Sequence, residues 1–149
     1  MDLKVKQTRE NSFGWLVKML SQRIDRTMTD ELKPLGLNPG LFATIMTLLE
    51  QEGINQTKLG NAIGVQGHTT TRNLDILEEM SLVKRCQDPD NRRIHRVFLT
   101  KEGKTLGKKL PLLVKKVNSN FLSALDENES TQVVEILKKV LNSADPKKT

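Results

Sequence analysis

Two groups of residues have types and spacing suited to binding a polyanion. Gln66, Gly67, His68, Thr69, Thr71 and Arg72 fall at the start of a helical pattern, and Arg92-Arg93 follow the turn-forming cluster Asp88-Pro89-Asp90-Asn91. Amide, imidazole, hydroxyl and guanidinium groups all hydrogen-bond to base edges or phosphates. A helix start adds unpaired N–H groups and the positive end of the helix dipole, and Gly67 lets a backbone come close to a ligand there. The competing explanation for His68 and the threonines is ordinary helix capping, and for Arg72 a solvated surface charge.

Chemistry on covalent bonds is poorly served by this chain. The usual acid, base and nucleophile types beyond carboxylates, amines and hydroxyls reduce to His68, His95 and Cys86, and no phosphate loop, H-E-x-x-H pair or cysteine pair is present. The expectation is a protein that is not an enzyme and needs no cofactor or metal. One cysteine excludes an intramolecular disulfide and a thiolate-only metal cage. Cys86 with His95 across a hairpin would make a redox-sensing or metal pair, since nearby Lys84 and Arg85 favour a thiolate; otherwise Cys86 is a half-buried strand cysteine.

The bulk numbers agree with an anionic partner. The 149 residues carry a net charge of +6, with 36% hydrophobic and 28% charged residues, which suits one globular domain. Aromatic residues make up only 3% and tyrosine is absent, so the stacking platforms of single-strand and RNA binders are missing. Double-stranded DNA is the expected partner. Charge alone would equally suit an acidic membrane surface, but no membrane partner is expected: duplex phosphate is the better fit, and apolar stretches are short of the roughly 20 residues a spanning helix needs. With no secretory pattern at the start, a cytoplasmic location is expected.

The elements that must position these groups follow from periodicity. Phe13, Leu16, Leu20, Ile24, Met28 and Leu32 recur at steps of three and four along a helix from about Asn11 to Lys33. Asn38-Pro39 caps and opens a second helix with Phe42, Ile45, Met46 and Leu49 as its buried side. Asn55 caps a short third helix carrying Leu59, Ala62 and Ile63, closed by Gly64. A fourth runs from about Gln66 to Met80, burying Thr70, Leu74 and Leu77 and showing His68, Arg72 and Asp75. Two short helices around a tight turn have the pattern of a helix-turn-helix. Residues 82–87 and 94–99 then read as strands of a basic β-hairpin, with Val97 and Leu99 on its core face. Lys84, Arg85, Arg92, Arg93, Arg96 and Lys101 exceed Asp88 and Asp90 by four charges there. Arg85 either meets the ligand or braces the hairpin by pairing with an Asp. A helix from about Lys101 to Ala124 follows, kinked or broken at Pro111, then a last one from Glu129 to Leu141; the tail beyond Ser143 is expected to fray.

The segments Leu74-Asp75-Ile76-Leu77-Glu78, Leu82-Val83-Lys84-Arg85, Asp88-Pro89-Asp90-Asn91-Arg92-Arg93 and Leu99-Thr100-Lys101-Glu102-Gly103 resemble the multiple antibiotic resistance regulator (MarR) family. Asn91 stands where that family commonly has a second wing Asp, Ser81 where it commonly has Gly, and Ile76 at a position usually polar. The resemblance implies a mostly α fold with a small β-hairpin wing: a winged helix-turn-helix over 38–100, flanked by dimerisation helices over 10–34 and 101–142, in a single domain over 1–149. It implies a homodimeric transcriptional regulator, a repressor by expectation, on a pseudo-palindromic operator. Arg92 and Arg93 match the family's minor-groove contacts, and the recognition helix starting at Gln66 its major-groove contacts. A small aromatic or anionic effector is implied between dimerisation helices and DNA-binding lobe. Trp15, Met19, Arg23 and Met46 are candidates to line that cleft or, alternatively, ordinary core. A winged helix used for protein or RNA contact is the remaining class, and steep salt elution from DNA resin would distinguish it.

Overall fold

The computed structural model of the chain describes residues 2–144, so the expectation for the tail from 145 onward lies outside the described residues. Hydrophobic periodicity starts the first helix near Asn11, whereas the chain is already helical in α1 (Leu3–Glu10), capped by the Asp2 carboxylate. This helix buries no residue, so it has no apolar stripe for a periodicity argument to detect. α2 (Phe13–Leu32) begins at the Ser12 cap, and a 3-10 turn over Lys33–Leu35 ends it.

Asn38 caps α3 (Pro39–Glu50) by accepting the Leu41 N–H at 2.9 Å, with Pro39 in the first turn where no donor is needed. The buried residues of α3 are Leu41, Thr44, Ile45 and Leu48; Phe42 and Met46 are half-buried and Leu49 is exposed. The inward face is thus rotated by about one residue from the one expected. The cause lies in the run Leu41-Phe42-Ala43, where apolar neighbours make the helical period ambiguous.

A two-residue strand, β1 (Ile54–Asn55), leads into α4 (Gln56–Ile63) and α5 (Gly67–Glu79). The hairpin strands β2 (Val83–Gln87) and β3 (His95–Leu99) follow. The sheet order is β1-β3-β2, all antiparallel, with Ile54 opposite Val97 and Val83 opposite Leu99. β1 is too short to carry an alternating pattern and was not expected from the sequence. The helix expected over 101–124 is two: α6 (Lys101–Gly107) and α7 (Leu110–Phe121). Pro111 falls in the first turn of α7, so the break precedes it. α8 (Glu127–Ser143) starts two residues earlier than expected, at a capping box between Asp126 and Glu129.

The described residues gather into two compact units, one ending at Val114 and the other starting at Lys115. Leu32, Leu41, Ile45, Leu48, Leu59, Leu74, Leu77 and Val97 form the fully or nearly fully buried centre of the first. That centre ties α2, α3, α4, α5 and the sheet together, which fixes the orientation of everything α5 and the hairpin display.

Candidate nucleic-acid interface

The start of α5 is held by its neighbour. Asn55 Oδ1 accepts the N–H groups of Thr57 and Lys58, at 2.8 and 3.2 Å, and sets the first turn of α4. Gly64 ends that helix in the left-handed region at φ 78°, where a side chain would be strained. The two helices then touch: a Cβ on Gly60 would run into the Thr70 hydroxyl. With Thr70, Asn73, Leu74 and Leu77 buried, the remaining sides of α5 face outward.

Gln66 sits at the N-cap without making a side-chain cap bond, and Gly67 and His68 are exposed in the first turn. Thr69 is half-buried and Thr71 and Arg72 are exposed. Thr71 is partly occupied, because its hydroxyl donates to the Gly67 carbonyl and accepts from Gln56 Nε2, both at 3.0 Å. Capping and display are therefore both present at this helix start. Gln56 and Thr57 were not singled out from the sequence. They line, with Gly60, Asn61, Val65, Gly67, Thr70 and Thr71, a cavity of about 240 Å³ between α4 and α5. The signal available for them was the Asn55 cap, which places both in a first helical turn beside the candidate residues.

The hairpin sorts its basic residues into two kinds. Arg85, half-buried on β2, donates from Nη2 to Glu78 at 2.8 Å and to Asp75, while its backbone N–H donates to Glu78 at 2.9 Å. The bond from Arg85 holds the Glu78 carboxyl below its ordinary range against a smaller opposing effect of burial, and the same pair raises the Arg85 pKa. Arg85 thus braces the hairpin against α5. Arg96 donates from Nε to Asp88 and from Nη1 to the Gly53 carbonyl, the latter at 3.1 Å. Asp88 also accepts the Asp90 N–H at 2.8 Å, and that backbone bond, then Arg96, lowers its pKa. Asn91 accepts the Arg93 N–H at 3.1 Å, so at the position where a wing Asp is common it acts as a turn residue. Arg92 and Arg93 are exposed beside that turn. Among the described residues neither guanidinium, nor that of Arg72, has a hydrogen-bond or ion-pair partner.

Other candidates are more dispersed. Trp15 is half-buried on α2 with the Arg9 guanidinium 5.3 Å from its ring centroid. It lines a groove with Lys4, Val5, Thr8, Arg9 and Ser12 that includes none of Met19, Arg23 and Met46. Met19 is half-buried and Arg23 exposed on α2, and Met46 packs against the core from α3. Cys86 is exposed rather than half-buried. It lies opposite Arg96, whereas His95 lies opposite Gln87, so alternation along the strands puts Cys86 and His95 on opposite faces and they form no pair.

Residues 37–95, spanning α3 through the first residue of β3, match the MarR family. Over that stretch the chain is similar to the MarR family. Its fold extends the likeness beyond that stretch. A MarR transcriptional regulator from Methanosarcina mazei Go1 is 25% identical, with a TM-score of 0.81 over 87% of this chain and 94% of that one. Wild-type MarR from E. coli in its apo form is 27% identical, with a TM-score of 0.79 over 87% and 96%. S. aureus MepR, solved as a DNA complex, is 24% identical with a TM-score of 0.77 over 89% and 98%. The chain shares with these regulators a mostly helical fold with a small three-stranded antiparallel sheet. Among the described residues no helix is long and apolar enough to cross a membrane.

Proposed function

We propose that this MarR-type protein acts in the cytoplasm as a homodimeric repressor of a pseudo-palindromic operator. α5 enters the major groove through Gln66, Gly67, His68, Thr69, Thr71 and Arg72, and the wing tip enters the minor groove through Arg92 and Arg93. The observation that carries this reading is the division of arginines. Arg85 and Arg96 are committed to carboxylates inside the hairpin, while Arg72, Arg92 and Arg93 are left without partners at the two places a groove would meet. A planar, weakly hydrated guanidinium suits a narrow minor groove. MepR, which shares the fold, was captured with DNA.

The dimer rests on exposed apolar side chains. On α2 these are Phe13, Leu16, Val17 and Leu20, and on α8 Val133, Val134, Ile136, Leu137 and Leu141. Such surfaces exceed what a monomer ordinarily shows to water. Two-fold symmetry then requires two half-sites about one helical turn apart. A small aromatic or anionic effector between the dimerisation helices and the DNA-binding lobe would release DNA by changing the separation of the two α5 helices.

Titrating operator and scrambled duplexes at several salt concentrations tests the assignment. Arg92→Ala should weaken both duplexes alike and lower the slope of log affinity against log salt by about one unit. Arg72→Ala should cost about 1–3 kcal/mol on the operator and much less on scrambled DNA. No loss for Arg92→Ala would sink the wing assignment, and equal losses on both duplexes for Arg72→Ala would make it a phosphate contact.

A further inference from the structure

Gln56 is the first residue of α4, and its half-buried side chain ends on α5. The backbone that carries it is fixed from both sides: Asn55 caps the first turn of α4, and Ile54 is buried opposite Val97 in the sheet. α4 and α5 lie so close that Gly60 has no room for a Cβ beside the Thr70 hydroxyl. Gln56 Nε2 donates across that gap to the Thr71 hydroxyl at 3.0 Å, and the hydroxyl gives its one proton to the Gly67 carbonyl, also at 3.0 Å. Thr71 is exposed, yet it has no proton left for a base. The Gln56 amide keeps a second N–H and Oε1, and neither has a partner among the described residues. Its orientation is set as well, because a flipped amide would turn Oε1 toward a hydroxyl oxygen whose proton is already committed.

We propose, resting on the placement of α5 in the major groove, that Gln56 reads an adenine in each operator half-site and that Thr71 positions it to do so. The unused amide edge presents a donor beside an acceptor, which matches N7 and the N6 amino group of adenine. Guanine shows two acceptors in the major groove, so Oε1 would face O6 with no proton between them. Thymine sets a methyl group beside its O4, and cytosine offers only its amino donor. The bond to Thr71 holds the glutamine in one arrangement before DNA arrives, which spares part of the ordering cost of binding. Thr71 therefore acts through Gln56, and α4 contributes a base reader to an interface otherwise drawn from α5 and the wing.

Selection of sites from a randomised duplex library by the full-length protein gives the operator motif, and repeating it with Gln56→Ala, Thr71→Val and Thr71→Ser tests the assignment. Wild type should prefer adenine about tenfold over the other bases at one position in each half-site. Gln56→Ala should lose that preference and keep the rest of the motif. Thr71→Val has nearly the same shape but accepts no bond from the amide, so it should reduce the preference about three- to fivefold, whereas Thr71→Ser, which keeps the hydroxyl, should retain it. Placing 7-deazaadenine at that position removes the N7 acceptor alone, and should weaken wild type about fivefold and Gln56→Ala not at all. An unchanged motif in Gln56→Ala, a uniform loss of affinity without a change of motif, or an adenine preference untouched by Thr71→Val would each overturn the proposal and leave the DNA reading intact. Equal wild-type affinity for the adenine and 7-deazaadenine duplexes would overturn it too, independently of how any variant folds. Selection of no motif at all would overturn the DNA reading and this proposal together.

Discussion

Replacing Arg85 with Gln tests the brace between the wing and α5. Two charge-assisted hydrogen bonds disappear, from Nη2 to Glu78 and to Asp75, while the backbone N–H bond to Glu78 remains possible. Such a bond contributes about 1.5–3 kcal/mol where solvent is excluded. Solvent reaches both partners here: the Asp75 side chain is 54% exposed and that of Glu78 34%, against 20% for Arg85. Screening brings the expected loss at neutral pH to about 1–2 kcal/mol in total.

The same pair fixes the pH dependence. Glu78 is held below its ordinary pKa of 4.5, chiefly by the bond from Arg85. A carboxyl whose folded pKa is depressed contributes stability that is fully present above its unfolded pKa and is lost as pH falls through the folded one. The gap between wild type and Arg85→Gln should therefore be constant at neutral pH and shrink below about pH 4.5 as Glu78 takes up its proton. Arg85, with its pKa raised, stays charged throughout and adds no step to this window. Urea unfolding followed by far-UV circular dichroism between pH 3 and pH 7, with Glu78→Gln and the double variant alongside, measures the coupling. A loss below about 0.3 kcal/mol at pH 7, or one that does not change on acidification, would refute the brace.

Ser81 adopts φ 60°, unusual for a residue with a side chain, so Ser81→Gly should stabilise the fold by about 0.5–1 kcal/mol, read as a higher urea midpoint. A Cβ on Gly103 would overlap the Leu82 carbonyl, and Gly103→Ala should lower stability by about 2–3 kcal/mol; an unchanged melting temperature would contradict the packing of α6 on the hairpin. On α8 Ile136 is 58% exposed, so Ile136→Glu should leave the monomer fold intact and weaken self-association, visible as a drop in sedimentation coefficient at micromolar concentration.

Much of this was legible because the relevant signals are local. Asn38-Pro39, Asn55 and Gly64 each act through their own backbone neighbourhood, and the structure finds them as caps and a helix end. Ser81 was visible as a position that commonly holds Gly, and its positive φ supplies the reason. Other features depend on partners distant in sequence. That Arg96 is committed to Asp88 and Gly53, and Arg85 to Glu78 as well as Asp75, follows from strand register and from the rotation of α5. A count of charges along the hairpin treats all of its arginines alike. Gln56 reaches Thr71 across fifteen residues, through helix packing that no single-segment pattern contains. α1 buries no residue and meets α2 through Arg9 on the Trp15 ring, which leaves no apolar repeat to read.

The bonds around Ser81 and Leu82 bear on how an effector could act. The Thr100 hydroxyl donates to the Ser81 carbonyl at 2.7 Å, the Thr100 N–H donates to the Leu82 carbonyl at 3.0 Å, and the Gly103 N–H donates back to the Thr100 hydroxyl at 3.0 Å. The C-terminal end of α5 is therefore fastened to the start of α6 through the residues that connect it to β2. Arg85 fastens the hairpin to α5 a second time, from the side, through Asp75 and Glu78. Hinge motion needs a segment free to change its φ and ψ with few bonds lost, and this junction offers none. In the proposed mechanism α5, the wing and α6 turn together, so an effector would alter DNA affinity by rotating that whole body and changing the separation of the two half-site readers. Arg85→Gln loosens one of the two fastenings and should lower operator affinity in a duplex titration even though the proposed interface assigns Arg85 no DNA contact; an unchanged affinity would contradict the coupling.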